Sequence, residues 1–262
     1  MAEPLLNIKN LSFSISDKKI LDNISLEVNS GDYLSIIGPN GSGKTTLIKC
    51  LLKIIRVQNK SIYFKSRPIE DYPQKELAAQ VSYVPQINEN SFPYSAKEFL
   101  MLSRYPHFSR FTSITKEDKA AVTEAFEITG TSQLADRQIN TLSGGEKQMI
   151  FIAAALAQGG ELLVLDEPAT FLDPKHEHGI YAILKKIHSQ TDKTIITVTH
   201  NINSAILHSD NIVIIKNGSV FYSGSSDKIS EGNILAAAYE KNFSFMKHPV
   251  TDKMIILPEV IG

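Results

Sequence analysis

A segment near residue 40 combines glycines, a lysine and a threonine in a spacing that suits phosphate binding. Its sequence is Gly38-Pro39-Asn40-Gly41-Ser42-Gly43-Lys44-Thr45, with a short apolar segment before it and a predicted helix after it. Glycines let the backbone curl so that its N–H groups face a phosphate, and the helix N-terminus adds partial positive charge. Lys44 is expected to bind the β- and γ-phosphates, and Thr45 a Mg²⁺ ion. The segment predicts a nucleotide-binding loop rather than an ordinary glycine-rich turn.

Two adjacent carboxylates end a second apolar segment. Asp166 and Glu167 follow Leu162–Leu165, which is predicted to be a strand buried on both faces. Strands of a parallel sheet deliver their C-terminal residues to the ligand crevice. There Asp166 would bind Mg²⁺ through water, and Glu167 would act as a base on an attacking water or position it. Alone, the pair could equally be solvated charges at a strand end, but the phosphate-binding loop favours the catalytic interpretation.

Two further segments become candidate phosphate contacts when they are considered together with these motifs. His200 ends the next predicted strand and could donate a hydrogen bond to a γ-phosphate, although a lone histidine there is more often a satisfied polar group. Ser143 is a predicted N-cap, and Gly144 and Gly145 leave open amides at the start of the following helix. The sequence thus contains a second candidate anion site, about a hundred residues from the first.

Hydrophobic periodicity predicts the elements that must position these side chains. Apolar and polar residues alternate over the first forty residues and again from Glu161, whereas residues 87–157 show helical patterns instead. The chain is therefore predicted to be α/β, with a nucleotide-binding core of residues 1–86 and 158–262 and a helical insertion of residues 87–157. The predicted strands are Leu5–Phe13, Ile20–Val28, Tyr33–Ile37, 61–64, 81–84, 161–165, 194–198, 211–215 and 219–223, and the predicted helices are Thr46–Ile55, Ala96–Ser103, Lys116–Thr129, Gly145–Ala157, 175–189 and 201–208.

Composition excludes several other functions. Among 262 residues, 27 Lys and Arg balance 28 Asp and Glu, which gives no electrostatic reason to expect a nucleic-acid partner. A single cysteine, Cys50, excludes internal disulfides and suits a reducing compartment. The N-terminus lacks a secretory pattern, and no apolar segment approaches the ~18 residues needed to span a bilayer. We therefore expect a cytoplasmic chain whose membrane role, if any, depends on a partner.

Together the motifs resemble those of the nucleotide-binding subunits of ATP-binding-cassette transporters. The resemblance covers essentially the whole chain and implies a P-loop NTPase core, with a mixed sheet flanked by helices, an antiparallel β subdomain and an inserted helical subdomain. In this comparison the matching segments are the Walker A loop 38–45, the Q-loop Gln86, the signature Leu142–Glu146, the Walker B residues Asp166-Glu167, the D-loop Leu172-Asp173 and the switch His200.

The resemblance also implies a head-to-tail homodimer that encloses two MgATP. Ser143 and Gly145 would contact the γ-phosphate of the partner copy's ATP, Gln86 would sense Mg²⁺ and water, and Asp173 would act across the interface. The implied catalytic residues are Glu167, His200, Lys44 and Gln86; the metal ligands are Thr45, Gln86 and Asp166; the remaining ATP contacts are Gly38, Pro39, Asn40, Gly41, Ser42, Gly43, Thr46, Ile15 and Gly144.

The chain departs from the family pattern at four positions. Ile15 stands where the family usually stacks an aromatic residue on adenine, and Phe13, predicted on the same strand face, is an alternative contact. Glu146 replaces the commoner glutamine, Met149 replaces a frequent arginine, and Thr170 replaces a serine. None of these changes removes a phosphate ligand or the base, so we expect an active enzyme.

Two segments indicate a substrate class. Leu102–His107 is similar to the Gly-Arg-x-Pro-His element in ATPases of iron-siderophore, haem and cobalamin importers, with Ser103 where glycine is expected. The tail Phe243–Pro258 resembles their C-terminal hairpin. Each segment also has a plainer interpretation, namely a helix ended by proline and an ordinary terminal hairpin. The resemblance implies an ATPase that powers uptake of an iron chelate (siderophore), haem or cobalamin-like compound through a partner permease; the alternatives are an exporter ATPase and a soluble cassette such as an iron–sulfur assembly ATPase.

An importer ATPase would lie peripherally on the inner face of the cell membrane. Its partners would be integral-membrane permease subunits and, indirectly, a periplasmic or lipoprotein substrate-binding protein. In the family the permease docks on the surface that corresponds to residues 87–110. That segment contains five aromatic residues, of which Phe99 is expected to be buried in the helical subdomain: Phe92, Tyr94, Phe99, Tyr105 and Phe108.

Overall fold

The computed structural model of the protein describes residues 3–57, 60–86, 92–108 and 114–257. The predicted aromatic segment 87–110 and the predicted tail Phe243–Pro258 therefore extend outside the described residues at 87–91, 109–110 and 258. The strands are β1 (Leu6–Ile15), β2 (Lys18–Val28), β3 (Tyr33–Ile37), β4 (Ile62–Phe64), β5 (Arg67–Pro68), β6 (Val81–Val84), β7 (Leu162–Asp166), β8 (Thr194–Val198), β9 (Asn211–Lys216), β10 (Ser219–Ser225), β11 (Phe245–Lys247) and β12 (Met254–Ile256). The α-helices are α1 (Lys44–Leu51), α2 (Gln74–Gln80), α3 (Ala96–Ser103), α4 (Lys116–Thr129), α5 (Gly144–Gln158), α6 (Pro174–Gln190), α7 (Ile202–His208) and α8 (Ile234–Tyr239).

The chain forms two compact units. The first unit comprises Met1–Tyr72 and Ile196–Gly262, and the second comprises Pro73–Ile195, so that β8 begins in one and ends in the other. The helical subdomain predicted for residues 87–157 makes up part of the second unit, and its own boundaries stay a prediction. Among the residues that the structure describes, no helix has the length and apolar character needed to cross a membrane.

The first unit contains two sheets and a terminal hairpin. One sheet is antiparallel, with strand order β2-β1-β4-β5, and the other has the order β10-β9-β3-β8. β3 is parallel to β9, whereas β9 and β10 form an antiparallel hairpin, so this second sheet is mixed. All five residues of β3 are buried, as expected of a strand covered on both faces. The predicted α/β class is confirmed.

The second unit pairs two parallel strands with a group of helices. β6 and β7 are in parallel register, with Val84 opposite Leu165. The rings of Phe92, Phe99 and Phe151 cluster with centroids 5.0–5.6 Å apart and join α3 to α5. Phe99 therefore contacts Phe92 and Phe151 within this group of helices, but it is partly buried and not fully buried as predicted.

Arg104 joins three helices of the second unit. Its Nε donates to Asp118 Oδ1 at 3.0 Å, and its Nη1 donates to the carbonyl of Ala157 at 2.8 Å. His107 Nε2 bonds to the carbonyl of Gln158 at 2.7 Å. The segment that resembles Gly-Arg-x-Pro-His thus anchors the end of α3 to the start of α4 and the C-terminus of α5.

Two predicted boundaries of α1 were wrong. The helix begins at Lys44, within the phosphate-binding motif, and ends at Leu51 rather than Ile55. Residues 51–55 are largely apolar, but Lys53 adopts a positive φ of 56° and its Nζ donates to the carbonyl of Tyr72 at 2.5 Å. The end of α1 therefore coincides with a tertiary contact between Lys53 and Tyr72. Local hydrophobic periodicity does not reveal such a contact.

Replacing Arg104 with methionine should destabilise the protein strongly. The side chains of Arg104 and Asp118 are only 11% and 5% exposed, so the variant leaves a carboxylate buried without its cation. Removing one partner of such a pair costs about 3–5 kcal/mol of unfolding free energy, measurable by urea denaturation. Arg137→Met is the control, since Arg137 and its partner Glu146 are 46% and 31% exposed, and it should cost less than about 1 kcal/mol. Equal losses in the two variants would contradict the assignment of a buried pair.

Candidate nucleotide-binding and signature sites

The loop Gly38–Gly43 connects β3 to α1 in the first unit. Gly38 and Gly43 have φ values of 147° and 105°, a region that side chains rarely adopt. A Cβ on Gly38 would lie 2.0 Å from the carbonyl oxygen of Ile215, and one on Gly43 would lie 2.8 Å from that of Ile20. Conformation and space therefore both require glycine at these two positions.

The start of α1 has the features of an anion site. No side chain caps its N-terminus, and its first turn contains no acidic residue. The Ser42 hydroxyl is buried and has no hydrogen-bond partner in the described structure. Lys44 is 7% exposed, and its Nζ donates to the carbonyls of Gly38 at 2.8 Å and Pro39 at 3.0 Å. Uncapped amides, an unsatisfied hydroxyl and a buried ammonium group fit a phosphate chain.

His200 follows the strand next to the one that leads into this loop. Ser35 Oγ on β3 and Thr197 Oγ1 on β8 are 2.9 Å apart, and the Thr199 amide donates to the Ile36 carbonyl at 3.1 Å. The two strand ends therefore lie side by side in the first unit, and His200 is exposed beyond them. The structure thus brings this predicted residue to the same sheet edge as the phosphate loop.

The two candidates for adenine contact differ in exposure. Ile15, at the end of β1, is 56% exposed, whereas Phe13 is partly buried. A register shift between Phe13 and Ser14 interrupts the alternation on which their shared face was predicted. Exposure therefore favours Ile15 as the accessible contact.

Thr170, one of the four departures from the family pattern, contacts the predicted base Glu167. Asp166, at the end of β7, is 4% exposed, and Glu167 follows it with a positive φ of 50°. Thr170 Oγ1 donates to Glu167 Oε2 at 2.8 Å and so orients that carboxylate. Gln86 emerges from β6 at the same edge of the parallel pair, two residues beyond Val84.

Tyr83 on β6 is a residue that sequence reasoning missed near the carboxylates. Burial raises its pKa to about 12, and the charge of Asp166 adds to that increase. The effect of Asp166 on the phenol indicates that the two side chains are near each other. Only its place in the strand paired with β7 could have pointed to it.

The start of α5 is a complete capping box. Ser143 Oγ accepts from the Glu146 amide at 3.3 Å, and Glu146 Oε2 accepts from the Ser143 amide at 2.8 Å. That backbone bond is the main reason why the pKa of Glu146 lies below its ordinary value. Ser143 is thus the N-cap that the sequence predicted, and Glu146 completes the box as a carboxylate where the family more often has glutamine.

His176 connects the D-loop to the signature, although sequence reasoning missed it. Its Nδ1 lies 2.5 Å from Asp173 Oδ2, and Asp173 Oδ1 caps α6 by accepting from the Lys175 and His176 amides. A Cβ on Gly145 would lie 2.1 Å from His176 Cδ2. The second glycine of the signature is therefore required by the imidazole packed against it.

Replacing Gly145 with alanine should displace His176 or the start of α5. We expect ATP hydrolysis to fall by at least about tenfold, because small displacements of a reacting site have effects of this size. The double variant Gly145→Ala/His176→Ala should recover part of the loss, since the contacts with ring atoms at 2.1 and 2.4 Å are removed and only the contact with Cβ of residue 176, at 2.9 Å, remains. Gly179→Ala on α6 is the control, because its Cβ would meet only the flexible end of Met149, at 3.3 Å. Full activity in the Gly145 single variant would contradict the steric argument.

The chain is similar to known proteins over almost its full length. Residues 21–170, more than half of the protein, match the family model described as ABC transporter. An iron(3+)-hydroxamate import ATP-binding protein of Bacillus subtilis is 32% identical over 252 residues, with 96% of this chain and 94% of the relative covered. A hemin import ATP-binding protein of Shewanella denitrificans is 31% identical over 247 residues, with 92% and 96% covered.

Solved structures agree on the fold. A chain described as belonging to a metal-chelate type ABC transporter in an inward-facing conformation matches with a TM-score of 0.83 at 24% identity, covering 98% of this chain and 99% of that one. A bacterial ABC transporter cassette solved as a dimer matches with a TM-score of 0.72 at 26% identity, covering 84% and 98%. The chain therefore belongs to the ABC transporter family, as an ATP-hydrolysing cassette.

Proposed function

We propose that this protein is the ATPase subunit of an importer that takes up an iron chelate, such as a siderophore complex or haem, through partner membrane subunits. The phosphate loop, with its uncapped helix start, buried Lys44 and unsatisfied Ser42 hydroxyl, is the observation that supports ATP as its ligand. The near full-length similarity to hydroxamate and hemin import proteins supports the direction and class of transport.

The proposed chemistry is in-line attack of water on the γ-phosphorus of ATP. The loop amides and Lys44 neutralise charge on the phosphates, and His200 donates a hydrogen bond to the γ-phosphate. Glu167, oriented by Thr170, polarises the attacking water. The hydroxyl of Thr45, the carboxylate of Asp166 and the amide oxygen of Gln86 are hard donors that suit Mg²⁺, which supplies further charge neutralisation when bound.

We further propose that two copies enclose two nucleotides. At the start of α5, which unlike α1 is capped by Ser143 and Glu146, Ser143 and the amides of Gly144 and Gly145 would contact the γ-phosphate on the partner copy. Asp173 lies in the same unit next to His176 and would face the partner across the interface. The dimeric cassette among the similar structures supports this arrangement.

Two substitutions separate nucleotide binding from hydrolysis. Glu167→Gln should retain ATP affinity, lower kcat by about 10²–10⁴-fold and accumulate an ATP-bound dimer, because the base is lost while the phosphate contacts remain. Lys44→Ala should instead weaken ATP binding, since a buried cation is removed from the loop. Titration calorimetry, steady-state ATPase assays and size-exclusion chromatography measure these effects. A monomeric Glu167→Gln variant with wild-type turnover, or undiminished affinity in Lys44→Ala, would contradict the assignments.

A surface of the second unit is proposed to receive the membrane subunit. Leu102 and Tyr105 are 49% and 66% exposed beside the anchored Arg104, and Tyr94 is 40% exposed. The Nζ of Lys75 lies 5.6 Å from the centroid of the Tyr105 ring. Exposed apolar side chains next to a rigid anchor suit a cytoplasmic segment of a permease. Through it the chain would lie on the inner face of the membrane.

Co-purification from membranes of the native host tests the import proposal. We expect a many-helix permease and an iron-chelate-binding protein encoded beside it, and loss of radiolabelled ferric hydroxamate uptake when this chain is deleted. The double variant Leu102→Ala/Tyr105→Ala should lose the permease and keep its ATPase activity, whereas Ile54→Ala, at a first-unit position 59% exposed, should keep both. Recovery of soluble partners alone would favour a soluble cassette, and unchanged uptake of every iron chelate would favour an exporter.

A further inference from the structure

We propose that the C-terminal hairpin β11–β12 clamps α7, the helix that follows His200, and that Asn203 and Lys253 are positioning residues for His200 during ATP hydrolysis. The inference rests on the proposed role of His200 and is independent of import. Every contact that supports it lies within the first unit.

Asn203 fixes the hairpin to the first turn of α7. Its Nδ2 donates to the carbonyl of Ile256 at 2.9 Å, and its Oδ1 accepts from the Ile256 amide at 2.7 Å. Paired bonds between one side-chain amide and one backbone unit fix orientation as well as distance. Asn203 is three residues beyond His200, so this contact lies close to the switch residue.

Lys253 holds the other end of α7. Its Nζ donates to the carbonyl of Ile206 at 2.8 Å, to that of Ser209 at 3.2 Å and to Ser226 Oγ at 2.9 Å. The last carbonyls of a helix lack intrahelical partners and have partial negative charge, so a cation there stabilises the helix. The Lys253 side chain is only 24% exposed, which limits competition from water.

The C-terminal hairpin and α7 also share a hydrophobic core. Ala205 and Ile206 of α7 are buried in the hydrophobic core of the first unit, and Phe245 and Ile256 of the hairpin pack against the same core. The hairpin therefore contacts α7 at both ends as well as sharing its core.

The helix depends on such support because it is short. α7 has seven residues, and helices of this length are not stable on their own in water. On its N-terminal side the Thr199 amide is fixed to β3, and Asn201 caps the helix by accepting from the Ser204 amide at 3.0 Å. His200 is exposed between the fixed strand end and α7, so a shift of α7 moves its backbone.

Loosening the clamp should slow hydrolysis without weakening ATP binding. The atoms nearest a Cβ on Gly38 or Gly43 belong to Ile215, Ser42, Ile20 and Leu21, and none of them belongs to β11 or β12. We expect Lys253→Met and Asn203→Ala to lower kcat by about tenfold, while the Kd for ATP changes by less than about twofold. Lys253→Arg should restore most of the turnover, because it keeps a donor cation at the end of α7.

Lys247→Met is the matched control. Lys247 is on the same hairpin but is 64% exposed and pairs with Asp252, so its loss should leave kcat unchanged. A kcat equal to that of Lys247→Met in both clamp variants, or parallel changes in kcat and Kd, would overturn the inference. His200→Ala distinguishes failure of the proposed role of His200 from failure of the clamp. Unchanged turnover in His200→Ala would overturn both. Slow turnover in His200→Ala, together with wild-type turnover in Lys253→Met and Asn203→Ala, would overturn the clamp alone.

Discussion

The phosphate loop is held where three backbone segments approach one another too closely for side chains. The carbonyl of Ile20 would lie 2.8 Å from a Cβ on Gly43 and 2.7 Å from one on Gly218. The Gly218 amide donates to the carbonyl of Ser42 at 3.2 Å, and the Asp22 amide donates to that of Gly218 at 2.8 Å. The start of β2, the β9–β10 turn and the loop therefore form one hydrogen-bonded junction. Both sheets of the first unit contribute to it, and the shape of the loop follows from their mutual position.

The proposed second anion site, at the start of α5, is constrained in a similar way by different atoms. Gly145 adjoins the ring of His176 instead of a backbone carbonyl, and His176 is fixed in turn by Asp173. Glycine at each site admits a neighbouring group that fixes the backbone, and in the proposed function it also exposes amides to the phosphate.

Sequence alone predicted the elements whose ends are determined locally. α3 and α4 begin and end at the predicted residues, because Ser95 and Thr115 form capping boxes and Gly130 adopts a left-handed conformation after α4. α2 and α8 were not predicted, since they have seven and six residues and give little periodicity. The phosphate loop was found because its chemistry lies in consecutive residues. Tyr83 and His176 were missed, because the fold brings them close to Asp166 and Gly145, which are distant in the chain.

The loop contacts of Lys44 have an energetic consequence for nucleotide binding. Its ammonium group donates to two carbonyls of the loop, so the loop itself compensates its charge. In the proposed mechanism a phosphate replaces those acceptors, and binding exchanges hydrogen-bond partners instead of adding new ones. The net gain from such an exchange is far smaller than the strength of an isolated ammonium–phosphate contact. The affinity for a phosphate group would therefore reflect the difference between two sets of hydrogen bonds to Lys44, not the full strength of one set.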